Sequence, residues 1–261
     1  MKITTDAEIN VPIESEVPMI GGYGVWDTHI HIVPGVDDGA RTIEESLEML
    51  KMEQRQGVDM VFATPHSSAF DYWPKKVHEA YEDLERAVND AKLHIKLMGL
   101  GCEMFCHPGN VSECIRKIKS GDYPTFSRYV LTELPTYGIG IKDAIYCIDK
   151  IKEAGYVPVL AHVERYEFAD TKNIAYLREK GALIQVNAYS LTAKSSADIR
   201  RFTAELVKFG MVDFTGSDAH RLDHRPPVML EGVMKIIDYS SDENAMWILG
   251  GNPKQRLYRG D

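Results

Sequence analysis

The chain has 261 residues and a formal net charge of -9. That length suits one large domain with a sizeable core, and the acidity excludes the basic stripe that a nucleic-acid surface needs and disfavours docking on anionic lipid. No apolar stretch approaches the roughly 18 residues of a membrane span, and the N-terminus lacks a signal-peptide core, so the expected location is the cytoplasm.

Residues 1–23 mix Thr, Glu, Asp and Asn with Pro12 and Pro18 and end near Gly21-Gly22. They read as an arm, held loosely or used as a clasp in self-association, ahead of a domain spanning 24–261. Apolar, β-rich runs then alternate with amphipathic stretches. The expected strands are Val25–Ile32, Val58–Ala63, Ile95–Cys102, Tyr129–Glu133, Val157–Ala161, Leu183–Asn187 and Met211–Thr215. Between them the 3.6-residue period predicts helices over Ile43–Gln56 and Pro74–Ala91, the second with proline at a permitted first turn. Further helices are expected at Val111–Lys119 behind Asn110, at Ile141–Ala154 and at Ser196–Phe209. The last two stop at Gly155 and Gly210, where a left-handed cap is wanted. Ser241-Asp242-Glu243 opens one more helix and Asn252-Pro253 another. Strand then helix, repeated about seven times, predicts an α/β fold whose parallel strands close into a barrel or a strongly curled sheet.

Three strand ends run into metal-ligand residue types: Asp27-Thr28-His29-Ile30-His31, Ala63-Thr64-Pro65-His66 and Gly216-Ser217-Asp218-Ala219-His220. Side chains alternate along an extended segment, so His29 and His31 share a face, as do Asp218 and His220. Imidazoles met by carboxylates make a nitrogen and oxygen cage for a divalent metal. Glu103, Glu133 and His162 also sit at or just past strand ends, the face on which barrel enzymes build their sites. Glu103 and Glu133 lie between apolar residues, where an unpaired charge is costly and ligation would relieve it. Cys102, Cys106, Cys114 and Cys147 form no framework and are expected to be reduced and buried, with ligation by Cys102 or Cys106 the lesser alternative. In Pro34-Gly35-Val36-Asp37-Asp38-Gly39 either aspartate could face the site, and a plain turn would use the same residues.

The motifs D-T-H-I-H-I-V-P-G-V-D-D-G-A, A-T-P-H, L-T-E-L-P, A-H-V-E-R-Y and G-S-D-A-H-x4-R-P-P resemble the polymerase and histidinol phosphatase (PHP) superfamily. Within it they are most similar to the bacterial tyrosine-protein phosphatases of capsule and exopolysaccharide operons. The resemblance runs in order from Asp27 to Pro227. It implies a distorted, TIM-like (β/α)7 barrel and three divalent metals, commonly manganese, with zinc or iron as alternatives. It further implies a first metal held by His29, His31, Glu103 and Asp218. A second would be held by Glu103, Glu133 and His162, with Glu103 as the bridge, and a third by Asp38, His66 and His220. Arg165 and Arg225 match the family's phosphate-binding arginines. Three departures stand out: the N-terminal arm is extra, Val163 replaces a common proline, and Ser67–Trp73 lacks the His-rich continuation usual after His66.

A carboxylate-bridged metal pair can activate water near neutral pH, and the planar fork of arginine suits phosphoryl oxygens. The chemistry fits a phosphatase, and the resemblance further implies a protein-tyrosine phosphatase acting on the phosphorylated tail of a bacterial tyrosine kinase that controls polysaccharide synthesis. Phe70, Tyr72, Trp73 and Tyr189 are candidates to line the mouth and stack on the phenyl ring, or else to pack the rim. Alternatives are a small-molecule phosphatase of the histidinol phosphate type, a phosphodiesterase, or a non-catalytic barrel docking a kinase. A cysteine-based phosphatase is excluded, because that signature places arginine six residues after the nucleophile and here those positions are Pro108, Ser112, Ser120 and Glu153. Oligomeric state is left open.

Overall fold

The computed structural model describes Gly22–Asp261. Apart from Gly22 and Tyr23, the arm expected over residues 1–23 lies outside the described residues. The strands are β1 (Trp26–Ile30), β2 (Met60–Ala63), β3 (Lys96–Leu100), β4 (Met104–Phe105), β5 (Tyr129–Glu133), β6 (Val157–Leu160), β7 (Leu183–Asn187) and β8 (Phe214–Gly216). Every ladder is parallel, in the orders β1-β2-β3 and β4-β5-β6-β7-β8.

The strand expected over Ile95–Cys102 is shorter, and β4 follows it after a break. The ring of Phe126 lies against the break so closely that a Cβ on Gly101 would come within 2.2 Å of it. Pairing is carried across by Glu103, whose N–H donates to the Pro65 carbonyl at 3.0 Å and whose carbonyl accepts from Ser67 at 2.9 Å. At the other seam the Asp218 N–H donates to the His29 carbonyl at 2.8 Å and the His31 N–H to the Ala219 carbonyl at 2.9 Å. Two ladders joined at two seams make a distorted barrel.

The helices are α1 (Ile43–Arg55), α2 (Ser67–Tyr72), α3 (Pro74–Asp90), α4 (Val111–Ser120), α5 (Ile141–Glu153), α6 (Thr171–Glu179), α7 (Ala197–Lys208), α8 (Leu230–Tyr239) and α9 (Asp242–Met246). Side-chain caps set several starts: Thr42 accepts from the Glu45 N–H, Asp170 from Asn173, Ser196 from Ile199 and Ser241 from Asn244. The separate helix expected from Asn252-Pro253 does not form. Instead α9 continues through π-helical turns at Trp247–Gly251 and Pro253–Tyr258, with Asn252 itself helical. An α-helical turn would drive the Pro253 ring into a carbonyl, and a wider turn relieves that clash.

Alternation along the strands, reset in β1 by an irregularity between Asp27 and Ile30, divides the core. Trp26, Phe62, Leu131, Val159 and Phe214 fill the barrel with Phe126 and Leu257, whereas Ile30, Val61, Val130, Leu160 and Ile184 pack outward under the helices. Tyr129 donates its hydroxyl to the Asp261 carbonyl, and Tyr258 lies 6.1 Å from the Trp26 ring, so the last turns close one end. The opposite end holds the strand C-termini. Among the described residues no helix is long and apolar enough to cross a membrane.

Candidate metal centre

His29 and His31 project to one side of β1, with their Nε2 atoms 3.3 Å apart. Two nitrogens aimed at one point repel unless a proton or a cation lies between them. Asp27 anchors the strand beneath: its Oδ1 accepts from the His29 and Ser217 N–H groups, and its Oδ2 from the Ser217 hydroxyl at 2.6 Å. That grip draws the end of β8 against β1, where a Cβ on Gly216 would lie 2.7 Å from His29 Cβ. Below it Glu53 of α1 is fully buried. Burial first, and the charge of Asp27 second, push its carboxyl well above the ordinary range.

Glu103, in the gap between β3 and β4, occupies the centre. Its Oε1 lies 2.9 Å from His162 Nε2 and 3.3 Å from His29 Nε2. Its Oε2 lies 2.9 Å from His66 Nδ1 and 3.3 Å from His31 Nε2. One carboxylate therefore faces two histidine pairs with separate oxygens, as a bridging ligand must. Donor atoms converge within 4.8 Å in four overlapping groups: His31, Asp38, His66 and His220; His29, Glu103 and His162; His29, His31 and Asp218; and His66, Glu103 and Glu133. All the candidate ligands read from the sequence meet here. The grouping departs from the implied sets in detail, since His31 joins the outer group and His29 shares Glu103 with His162. Glu133 stands 3.7 Å from His162.

The donor chemistry fits divalent cations. Glu103 Oε2 is buried and makes no well-directed hydrogen bond even at 2.9 Å from His66 Nδ1, and the crowding of carboxylates and imidazole lone pairs calls for positive charge. Burial works against a charged His66, yet Asp38 and Glu103 hold it up to about 11. His31 is likewise held up to about 9 by Asp37 against the cost of its burial. His220 is the opposite case, pulled down to about 3 by burial, His31 and Arg225. Its Nδ1 faces the Asp218 carbonyl at 3.0 Å and must donate there, so the Nε2 lone pair points to the centre, where it accepts from Arg225 Nη2 at 3.1 Å, a bond that a ligated cation would replace.

The two aspartates of the Asp37-Asp38 pair have different places. Asp38 is 64% exposed at the rim, 3.3 Å from His66 Nε2 and 3.5 Å from His220 Nε2. Asp37 is buried behind the site. Its Oδ2 accepts from His31 Nδ1 at 2.9 Å and the His66 N–H at 3.0 Å, and its Oδ1 from the Gly39 N–H. This carboxylate–histidine pair turns His31 Nε2 toward the centre. Gln185 and Asn187, on the same face of β7, extend the support. The Gln185 Oε1 accepts from the His162 N–H at 2.6 Å, and Asn187 Nδ2 donates to Asp218 Oδ2 at 2.9 Å. Two buried amides at alternate strand positions are a signal present in the sequence but quieter than the charged ligand types.

Arg165 and Arg225 flank Asp218, donating to its Oδ2 at 3.0 and 2.8 Å. His162, Asp218 and Arg225 all have positive φ, 33°, 51° and 54°, an uncommon backbone state for residues with side chains. Such strain at three neighbouring polar residues fits a site over-determined by its surroundings.

Two cavities adjoin the centre. One, of about 380 Å³, is lined by Asn187, Tyr189, Lys194, Asp218, Arg225 and Val228 among others. The second, of about 310 Å³, is lined by His66, Ser68, Asp71, Phe105, Tyr123 and Glu133 among others. Tyr189 thus lines the cavity beside Asp218 and Arg225. Tyr72 and Trp73, 73% and 54% exposed at the end of α2, line neither cavity. Phe70 is a correction: it is buried against Tyr123 and His78 because its turn of α2 faces the core. All four cysteines are buried and free.

The sequence profile of the capsular polysaccharide synthesis family CpsB/CapC matches residues 25–258. The chain belongs to this family. Among relatives, it is 31% identical over 208 residues to the tyrosine-protein phosphatase YwqE of Bacillus subtilis, covering 76% of this chain and 78% of YwqE. It is 26% identical over 240 residues to the tyrosine-protein phosphatase CpsB of Streptococcus pneumoniae, covering 88% and 96%. A solved structure from work on YwqE and CpsB, described as unique metal-dependent tyrosine phosphatases, superposes with a TM-score of 0.78 at 26% identity, over 90% of this chain and 95% of that one. A 2-pyrone-4,6-dicarboxylic acid hydrolase homologue from Pseudomonas putida aligns at a TM-score of 0.56 and 13% identity over 92% and 98%, a likeness of scaffold alone.

Proposed function

We propose that this CpsB/CapC protein is a metal-dependent phosphatase that hydrolyses phosphotyrosine monoesters. The observation that carries the reading is Glu103, which offers one oxygen to His29 and His162 and the other to His31 and His66, beside two arginines. His29, His31, Asp38, His66, Glu103, Glu133, His162, Asp218 and His220 would hold three divalent ions, and their hard nitrogen and oxygen donors suit manganese, with zinc or iron as substitutes. When bound, these ions supply charge for the phosphoryl oxygens and activate water as nucleophile.

The chain's own residues do the rest. Arg165 and Arg225 both spend N–H donors on Asp218 Oδ2, and an arriving phosphate would draw on the same forks for its nonbridging oxygens. Asn187 retains its hydrogen bond to Asp218 and so preserves that carboxylate's orientation. Asp37 keeps the ring of His31 aimed inward. A tyrosyl leaving group, with a pKa near 10, departs with less protonation than an alkoxide.

The substrate class drawn from the relatives is a phosphotyrosyl protein, and a tyrosine kinase governing polysaccharide synthesis is the partner that fits the family. Four free, buried thiols support a reducing location such as the cytoplasm. The test compares metal-stripped and manganese-loaded protein on phosphotyrosyl peptide, phosphoseryl peptide, histidinol phosphate and bis(p-nitrophenyl) phosphate. Restored turnover led by the phosphotyrosyl peptide supports the reading. Full activity of metal-free protein defeats the mechanism, and preference for histidinol phosphate defeats the substrate assignment.

A further inference from the structure

We infer that the cavity bounded by Tyr189, Lys194, Arg225 and Val228 receives a carboxylate side chain flanking the phosphotyrosine, and that Lys194 reads it. This inference rests on the phosphotyrosyl reading above. The cavity shares Asp218 and Arg225 with the metal centre, so a substrate residue placed in it is a neighbour of the reacting group.

The segment that carries Lys194 is built rather than draped. The Thr192 N–H donates to the Tyr189 carbonyl, and the Tyr189 hydroxyl donates to the Lys194 carbonyl at 3.1 Å. The Ala193 N–H donates to Glu231 at 2.8 Å. Arg200 spends one nitrogen on the carbonyls of Thr192, Ala193 and Ser195, at 3.4, 3.4 and 3.0 Å. These bonds fix both the Tyr189 ring and the Lys194 backbone and turn one nitrogen of the nearby guanidinium onto the loop. Among the described residues Lys194 itself has no carboxylate within ion-pairing distance. Lys194, left without an ion pair in this way, lines a mostly apolar cavity whose other cation, Arg225, is already paired with Asp218.

Charge around the mouth is uneven. Lys194 lies on the β6–β8 side with Arg225 and Arg165, which share Asp218, whereas the cavity on the β2–β5 side presents Glu133 and an Asp71 already paired with Lys117. In a chain of net charge -9, an acidic peptide gains attraction only where cations cluster locally. A peptide crossing the mouth is therefore oriented with its carboxylate toward Lys194. The expected gain is that of a partly exposed ion pair, about three- to fivefold in kcat/KM.

The test uses manganese-loaded full-length protein and phosphotyrosyl peptides carrying Glu, Ala or Lys at each position within two residues of the phosphotyrosine. Within each protein variant the readout is the ratio of kcat/KM for Glu over Ala peptides. Wild type should prefer Glu at one flank, through KM and more strongly at low salt. Lys194→Ala should bring that ratio to one, Lys194→Glu should turn the preference toward the Lys peptide, and Lys194→Arg should restore it. A flat profile in wild type, or a Glu preference that survives Lys194→Ala, overturns the subsite while leaving a phosphotyrosine phosphatase. Absence of turnover on every phosphotyrosyl peptide overturns both readings together.

Discussion

Replacing Asp37 by Asn separates a residue that holds ligands from the ligands themselves. The carboxylate takes three N–H donors: His31 Nδ1 and the His66 N–H on Oδ2, and the Gly39 N–H on Oδ1. An amide keeps one acceptor. Turned one way, it satisfies the histidines and sets its NH2 against Gly39, leaving a buried N–H unpaired at a cost of about 1–3 kcal/mol. Turned the other way, it releases His31 and the His66 backbone together. In both orientations the negative charge behind His31 is gone, and its Nε2 becomes a poorer donor to a cation. Loss of such a support lowers metal affinity roughly 10- to 100-fold, or about 1.4 to 2.7 kcal/mol. Manganese titration against a competing chelator reads this directly, with kcat/KM at saturating metal as the companion measurement. Asp38→Asn, in contrast, removes a candidate ligand and should not be rescued by excess metal. Affinity of the Asp37→Asn protein within threefold of wild type would refute the orienting role.

Glu103→Gln should cost more metal and more rate than Glu133→Gln, by roughly tenfold or more, because one carboxylate faces two histidine pairs while the other stands at the edge; equal losses, measured by elemental analysis and kinetics, would remove the bridge. Arg165→Ala should lower kcat/KM on the order of 100-fold with metal content retained, since the lost donor serves phosphate; unchanged kinetics with a lower Tm would make Arg165 a structural partner of Asp218. Glu53→Gln addresses pH and stability. The folded state keeps Glu53 protonated well above the ordinary 4.5, whereas the unfolded chain releases that proton, so wild-type stability falls as pH rises above that value. The variant lacks this term, and its Tm advantage over wild type should grow between pH 5 and pH 8; a constant difference would show that Glu53 is ionised in the fold.

Much of this arrangement was legible in the residues because strand geometry leaves little freedom. His29 and His31 must share a face, and His66, Glu133 and His162 follow apolar runs whose ends converge in a parallel barrel. Other parts depend on packing that local pattern does not encode. The break before Glu103 is set by Phe126, a residue more than twenty positions away in sequence, pressing on Gly101. Asp37 and Asp38 are chemically identical, and only the curl of their loop sends one behind His31 and the other to the rim. The assignment of Phe70 to the mouth failed because α2 turns that ring inward. At the C-terminus an Asn-Pro pair looked like a fresh helix start, yet contact with the barrel kept the helix running. Lys194 carries no local signal. Its meaning comes from the carbonyls that claim Arg200.

The closure of the barrel's lower end by residues 242–261 separates two events in the life of the chain. Each candidate ligand, up to His220, precedes that segment in sequence, whereas Leu257 and the contact of Tyr129 with Asp261 finish the floor. During synthesis the candidate metal-ligand residues therefore emerge before the plug beneath them. In the folded chain the final turns act as a stopper that fixes the inner core around Trp26. Variation in the mouth loops leaves that stopper untouched, so the scaffold can change what it recognises above without renegotiating what holds it together below.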